Sequence, residues 1–381
     1  MDIKYYFIRL LQKTVLLSNF LQSKLIKRRK IKLNWKEKIL MIKCDRIWDA
    51  VWSVFFCDIL KQNYPNLEIS VVSNNYNRFV FEENIRLFKE IYSIDEQPPA
   101  YLVKNIYKLF TIFLEPFMVF KKNKQLWEKL KTKKFDYIFN ITWRDYVLIS
   151  KFLGKSMWWG LGIFNGIYTY PIIWHNEIGA KKHIVLKRLD NIDNIKLKNI
   201  KLPPIPPSKY QKNILVFIWW KIPNVLSWDI YNKISTDLQN LGYNIKTLSD
   251  KKFQKADYLL SIPDNTFFVG DVKYTDFLKN YDLFIWVDGW VLHYSSQFIK
   301  CISICTSTNF RCAYPFGLNI KKYELKEKWA FFKIDNRHII ITKPLKCQGC
   351  FQIWCSQKKC EKSLDIESEI FIKEVIEKIK I

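Results

Sequence analysis

The chain has 381 residues, of which 49% are hydrophobic and 17% aromatic, and carries a formal net charge of +26. That length accommodates two domains of ordinary size, and the apolar content excludes an intrinsically disordered protein. The charge points to a polyanionic partner such as nucleic acid, an anionic membrane face or a phosphorylated glycolipid. A general bias toward Lys, Ile, Asn, Phe and Tyr, as AT-rich coding gives, accounts for part of it.

Between Met1 and Trp35 there are nine Lys or Arg against the single acid Asp2, interleaved with Tyr5, Tyr6, Phe7, Leu10, Leu11 and Val15 to Leu17. This pattern reads as a basic amphipathic extension, either lying on an anionic leaflet or packed on the following domain. It has no small-residue cleavage site, and no run reaches the roughly 18 apolar residues of a transmembrane helix. Nine cysteines without an export signal point to a reducing compartment.

The first ordered unit is expected over Lys38 to Ser53. Ile39 to Ile42 form an apolar run that reads as a buried strand. Lys43-Cys44-Asp45-Arg46 is a polar turn, and Ile47, Val51, Val54 and Phe55 have helical spacing through Leu60. Tyr64-Pro65-Asn66 ends the helix, and Leu67 to Val72 reads as a second strand. A strand, turn and helix of this kind opens a nucleotide-type α/β domain, with its chemistry just beyond the strand's carboxyl end, where Asp45, Arg46 and Asp49 lie. Tyr92 to Asp95 reads as a short strand end. Residues 101–134 predict one or two helices broken at Pro116, with aromatics interleaved with lysines. That interleaving suits stacking on nucleic acid or contact with membrane headgroups, but the spacing equally describes a helix with a solvated basic face. Phe135 to Asn140 predicts a strand, Tyr146 to Leu153 a helix, and Trp158 to Gly166 an aromatic, glycine-bearing loop.

Pro203, Pro204, Pro206 and Pro207 mark residues 190–212 as an extended connector. The pattern then restarts with a strand at Asn213 to Trp219 and a helix at Trp228 to Leu241 capped by Gly242. Strands follow at Asn244 to Leu248 and Leu283 to Val287. The expected fold class is α/β: two Rossmann-like domains facing across a cleft that is the default ligand site. The expected boundaries are a basic extension at 1–35, an N-terminal domain at 36–200, a linker at 201–212 and a C-terminal domain at 213–381.

Two constellations carry chemistry in the second half. Asp288-Gly289 follows a strand and opens a helix bearing His293, and amides at a helix start suit an anion. Read alone, Asp288-Gly289 is also an ordinary turn and His293 a core or surface histidine. The second is Cys347-x2-Cys350-x4-Cys355-x4-Cys360, four thiols within fourteen residues. It is compatible with a structural zinc or iron site, or with disulfides or a plain thiol cluster. Residues 366–381 predict a terminal amphipathic helix.

The stretch ILMIKCDRIWDAVWS, continued by YPNLEISVVSN, resembles the amino terminus of the heptosyltransferases. These are inverting two-domain glycosyltransferases of family 9, with GT-B architecture, that build lipopolysaccharide cores. Their pattern is a strand, Arg-x-x-Gly-Asp, and a helix closing near Tyr-Pro. Arg46 and Asp49 match it, and Trp48 replaces the glycine. Phe135 to Asp145 resembles the family's YD-x-x-x-D-x-R segment. Asp288 and His293 match the outer positions of its Asp-(Ser/Thr)-Gly-x-x-His segment, and Thr308, Pro315 and Gly317 those of its GPT-D…GP-G loop. The resemblance implies that Asp49 is the catalytic base and that Arg46 orients it or engages acceptor phosphates. It implies a donor site of Asp288, Gly289, His293 and Thr308, with Lys221 the nearest base to the position of a phosphate-neutralising lysine. It further implies ADP-heptose as donor and a phosphorylated lipopolysaccharide core as acceptor. The protein would be cytoplasmic, peripheral on the anionic inner face of the bacterial inner membrane, and would need no catalytic metal. The Cys run resembles one that the family often carries near its carboxyl terminus, which implies a structural role. Three other readings stand beside it: the same fold with another donor or a protein acceptor such as an autotransporter, a non-catalytic sugar-nucleotide or membrane-binding descendant, and, supported by charge alone, a nucleic-acid binder.

Overall fold

The computed structural model describes residues 30–44, 47–94, 118–142, 149, 152–154, 156–160, 170–173, 183–205, 212–217, 228–250, 266–269, 274–287, 289–305, 314–324 and 330–342. The chain divides into two compact units, one of Met1–Asn176 with Ile184–Ile200, the other of Glu177–His183 with Lys201–Ile381.

In the first unit, β1 (Lys38–Lys43) is buried at every position after Lys38, as an apolar strand covered on both faces must be. Helix α1 (Ile47–Asn63) follows and then β2 (Glu68–Asn74). After α2 (Arg78–Glu82) come β3 (Glu90–Ile94), α3 (Lys124–Thr132) and β4 (Tyr137–Asn140). The unit is completed by β5 (Ser156–Gly160), β6 (Tyr170–Ile173) and α4 (Ile184–Leu189). The strands are ordered β3-β2-β1-β4-β5-β6 and every pairing is parallel. Trp127 and Leu130 of α3 close one face over Leu40, Ile42, Val72 and Ile138.

The second unit contains β7 (Asn213–Phe217), α5 (Trp228–Asn240), β8 (Asn244–Asp250), β9 (Thr266–Val269) and α6 (Tyr274–Leu278). Next come β10 (Leu283–Val287), α7 (Trp290–Ser295), β11 (Lys300–Cys305), β12 (Ile320–Glu324), β13 (Ala330–Ile334) and β14 (His338–Thr342). The sheet order is β12-β13-β14-β11-β10-β7-β8-β9. Only the β12–β13 and β13–β14 pairings are antiparallel among the described strands. Helix α5 ends as expected at Gly242, whose φ of +83° lets Tyr243 N donate to Leu238 O at 3.0 Å and Gly242 N to Gln239 O at 2.8 Å.

Removing the β12–β13 hairpin leaves the same order in both units, since β9-β8-β7-β10-β11-β14 repeats β3-β2-β1-β4-β5-β6. This is the doubly wound Rossmann order, whose switch point lies between β1 and β4 in one unit and between β7 and β10 in the other. One aspartate fastens each switch point at its base. Asp136 Oδ2 accepts from Lys38 N at 2.7 Å, and Asp282 Oδ2 accepts from Asn213 N at 2.9 Å. The two units are thus α/β domains of one design.

Two expectations are corrected. The Trp158 to Gly166 segment is not loop throughout: its first residues belong to β5, where Met157 and Trp158 pair with Phe139 and Asn140 of β4. Parallel pairing beside a buried strand overrides the glycine signal there. Residues 190–212 are not simply extended. Ile192 bridges Ile31, and Leu197–Asn199 form a 3-10 turn, before the proline pair Pro203-Pro204. The part of the predicted 101–134 helical segment up to residue 117, the predicted helix at 366–381, most of that at 146–153, and residues 1–29 of the expected 1–35 extension lie outside the described residues.

Among the described residues, no helix is long and apolar enough to cross a membrane. At the amino ends of β11 and β14, His338 is buried and its Nδ1 accepts from Cys301 N at 3.2 Å. Burial, reinforced by the Arg337 charge, holds this imidazole well below the usual histidine pKa. A depressed folded value means that the unfolded state binds the extra proton. Stability is therefore complete above about pH 6.5, the unfolded value, and is lost as the pH falls toward the folded one. The expected slope in that window is up to about 1.4 kcal/mol per pH unit. In urea titrations between pH 7 and 5, His338→Asn, which keeps an acceptor near Nδ1, should flatten this acid-side loss. An unchanged slope would assign the loss to other groups.

Candidate active site

The carboxyl end of β1 is a knot of buried polar groups. Asn74 and Asn77, at and just beyond the end of β2, hold one another reciprocally: Asn77 N donates to Asn74 Oδ1 at 2.9 Å and Asn74 N to Asn77 Oδ1 at 3.3 Å. Their side-chain amides then reach across, Asn74 Nδ2 to Cys44 O and Asn77 Nδ2 to Lys43 O, each at 3.0 Å. The exit of β1 is so fixed from one side. From the other, Lys43, which is fully buried, donates from Nζ to Ile141 O at 2.7 Å and ties β1 to the end of β4 across the switch point. The ordinary fate of such a lysine is solvent exposure, so its burial sets this edge apart.

Asp49 lies in the first turn of α1, where the helix dipole favours a carboxylate. It is only 1% exposed. Arg188, in the last turn of α4 and also buried, places Nη2 at 3.8 Å from Asp49 Oδ1. Its Nη1 donates to Ser53 Oγ at 3.1 Å, and that hydroxyl donates to Asp49 O at 2.8 Å. Carboxylate, guanidinium and serine thus form one network between α1 and α4, both of which belong to the first unit. Arg46 lies outside the described residues, as does the side chain of Trp48.

In the second unit, Gly289 is the N-cap of α7, at the carboxyl end of β10. Its backbone is extended, so conformation does not demand glycine. Space does: a Cβ at this position would stand 2.5 Å from Trp286 Cη2 and 2.8 Å from Cζ2. His293 occupies the next turn, fully buried, with its backbone N donating to Gly289 O at 3.3 Å. Tyr314 to Gly317 are anchored within the same unit. The ring of His183 packs edge-on against Tyr314 and tilted against Phe316, and its Nε2 meets Tyr314 O at 3.1 Å. Gly317 fits against Ile334 and Asp335, where a Cβ would fall 2.1 Å from Ile334 Cγ2. Asp335 in turn accepts from Leu318 N and Asn319 N at 2.6 and 2.7 Å. Asp288, Thr308 and Lys221 lie outside the described residues.

Sequence reasoning therefore named Asp49, Gly289 and His293 but missed Lys43, Asn74, Asn77, His183 and Arg188. A buried lysine ending an apolar strand and an Asn-x-x-Asn pair after the second strand were the visible traces of the first three. Nothing in the local pattern marked the other two.

The expectation of a structural zinc or iron is withdrawn. Among the described residues, no group of three or more His, Cys, Asp or Glu is placed to hold a metal ion. The described cysteines, Cys44, Cys57, Cys301 and Cys305, are buried. Burial pushes the thiols of Cys57 and Cys301 well up, away from the thiolate that a metal requires. Cys347, Cys350, Cys355 and Cys360 lie outside the described residues.

No protein-family model and no curated protein matches the chain. Solved structures do. A glycosyl transferase of family 9 from Veillonella parvula superposes with a TM-score of 0.63 at 12% identity, covering 92% of this chain and 99% of the other. The E. coli heptosyltransferase WaaC with ADP gives 0.57 at 12% identity over 90% and 99% of the two chains. The E. coli ADP-heptose lps heptosyltransferase II gives 0.57 at 11% identity over 90% and 98%. The chain has the fold of these family 9 structures at 11–12% sequence identity.

Proposed function

We propose that this protein is an inverting glycosyltransferase whose donor is ADP-heptose and whose acceptor is the phosphorylated inner core of lipopolysaccharide. The observation that carries the reading is the repeated strand order. In both units a segment that resembles a heptosyltransferase motif follows the strand beside the switch point, with Asp49 in α1 after β1 and His293 in α7 after β10. In the proposed reaction an acceptor hydroxyl attacks the anomeric carbon as the bond to the diphosphate oxygen breaks. Asp49 takes the hydroxyl proton, Arg46 orients it or engages acceptor phosphate, and ADP departs. Asp288, Gly289, His293, Thr308 and Lys221 are proposed to hold the donor. The net charge of +26 and the exposed lysines flanking and within α3, among them Lys121, Lys129 and Lys131, suit an anionic glycolipid at the cytoplasmic face of the inner membrane.

The test is thermal stabilisation by ADP, UDP, GDP and ADP-heptose, with Asp288→Ala beside the wild type. Stabilisation by the adenine nucleotides alone, lost in the variant, supports the donor class and site. Stabilisation by UDP or GDP instead retains the fold and changes the donor.

A second reading, a non-catalytic descendant, draws on a specific observation. The carboxylate of Asp49 is engaged by buried Arg188 and nearly inaccessible, and the His293 side chain is likewise buried. Binding of ADP without transfer from ADP-heptose to any deacylated core oligosaccharide would favour it.

A further inference from the structure

We infer that Arg188 is a positioning residue for the reaction: it fixes the Asp49 carboxylate in the orientation from which a proton is taken. The inference rests on the function proposed above and adds to it a group that no sequence motif supplied. Three observations carry it. The guanidinium is buried, so it is desolvated and strongly directional toward whatever it faces. It grips two points of the α1 start at once: Nη2 is 3.8 Å from Asp49 Oδ1, and Nη1 donates to Ser53 Oγ at 3.1 Å. The serine relays that hold to the backbone of the same aspartate, Oγ donating to Asp49 O at 2.8 Å. Side chain and main chain of Asp49 are therefore held from one arginine, which itself sits in the last turn of α4, where a helix favours a cation.

A purely stabilising ion pair would join the two helices anywhere along their contact. This one ends on the first-turn carboxylate beside the exit of β1, the edge at which such sheets hold their ligands. The spacing of 3.8 Å also leaves the pair looser than a close charge-assisted hydrogen bond.

The experiment compares wild type, Arg188→Gln, Arg188→Lys and Ser53→Ala. For each, turnover of ADP-heptose onto a deacylated core oligosaccharide is expressed per ADP-binding site, with donor KM and unfolding midpoint in urea measured in parallel. Arg188→Gln should lower kcat per site by at least tenfold with donor KM within about twofold, a split that lost folding alone does not produce. Arg188→Lys should recover part of that loss, because the charge returns without the fork that reaches Ser53. Ser53→Ala should lower kcat less than Arg188→Gln, and it keeps the test alive should the glutamine variant not fold. Turnover by wild type with unchanged kcat per site in the Arg188 variants, whatever their stability, overturns the inference and leaves the proposed function standing. Absence of wild-type turnover despite ADP binding defeats the proposed function and this inference with it.

Discussion

Asp49→Asn should bind ADP as wild type does and transfer sugar about 10²–10⁴-fold more slowly, the range that a positioned general base supplies. Asparagine retains the shape and one acceptor oxygen, so the steric fit at the start of α1 survives. What it loses is the capacity to take a proton and the charge opposite Arg188. Because that arginine is buried, the loss of its Asp49 counter-charge is costly. Breaking a buried pair from one side destabilises by about 3–5 kcal/mol. The loose 3.8 Å geometry and the remaining bond to Ser53 place this case toward the lower end. Both effects occur together, so transfer must be normalised to sites that bind ADP, with stability read separately in urea. A folded, ADP-binding Asp49→Asn protein with undiminished transfer would mean that the base lies elsewhere.

The same residue shows what the sequence disclosed and what it withheld. Ile39 to Ile42, the polar turn and the α1 periodicity were enough to put Asp49 at the end of a parallel strand, because hydrophobic runs and helical spacing are local properties. The partner that engages it was not legible. Arg188 comes from α4, far along the chain, and meets α1 only once the sheet has formed. Asn74 and Asn77 are similar: short polar residues after a strand predict a turn, and only the register of β1 against β2 turns them into a clasp on Lys43 and Cys44. The β5 strand was missed for a related reason. Its pairing with β4 is a long-range gain that outweighed a local pattern rich in aromatics and glycine. Over-reading occurred where spacing alone was used as chemistry, as with the cysteine run taken toward a metal. The repeated design of the two units was half visible, in Phe-Asp-Tyr before β4 and Tyr-Asp-Leu before β10, and its meaning emerged from the paired aspartate clamps.

Gly289 tests how tightly the proposed donor edge is built. The resemblance reads it as part of a phosphate loop, yet its backbone would accept any residue, and the demand for glycine comes from the Trp286 ring. A methyl group here would lie 2.5 and 2.8 Å from two ring carbons, closer than carbon atoms tolerate. Trp286 is itself buried and packs edge-on against Phe284, so the ring has little freedom to withdraw. Gly289→Ala should therefore destabilise the second unit by about 1–3 kcal/mol, as overpacking does. It should also weaken ADP binding, since the start of α7 must move and Asp288 precedes it directly. Trp286→Leu alone should destabilise by removing buried aromatic surface, but it clears the space the new methyl needs. Combined, the two substitutions should be less damaging than their sum by about 1 kcal/mol or more, a coupling expected of residues in contact. ADP affinity should recover in the same double variant if the loop's position, rather than the indole itself, serves the ligand. Strict additivity in the urea midpoints would show that the glycine is not held by the ring. A Gly289→Ala protein of wild-type stability that nevertheless loses ADP would instead assign the residue to direct contact with the nucleotide.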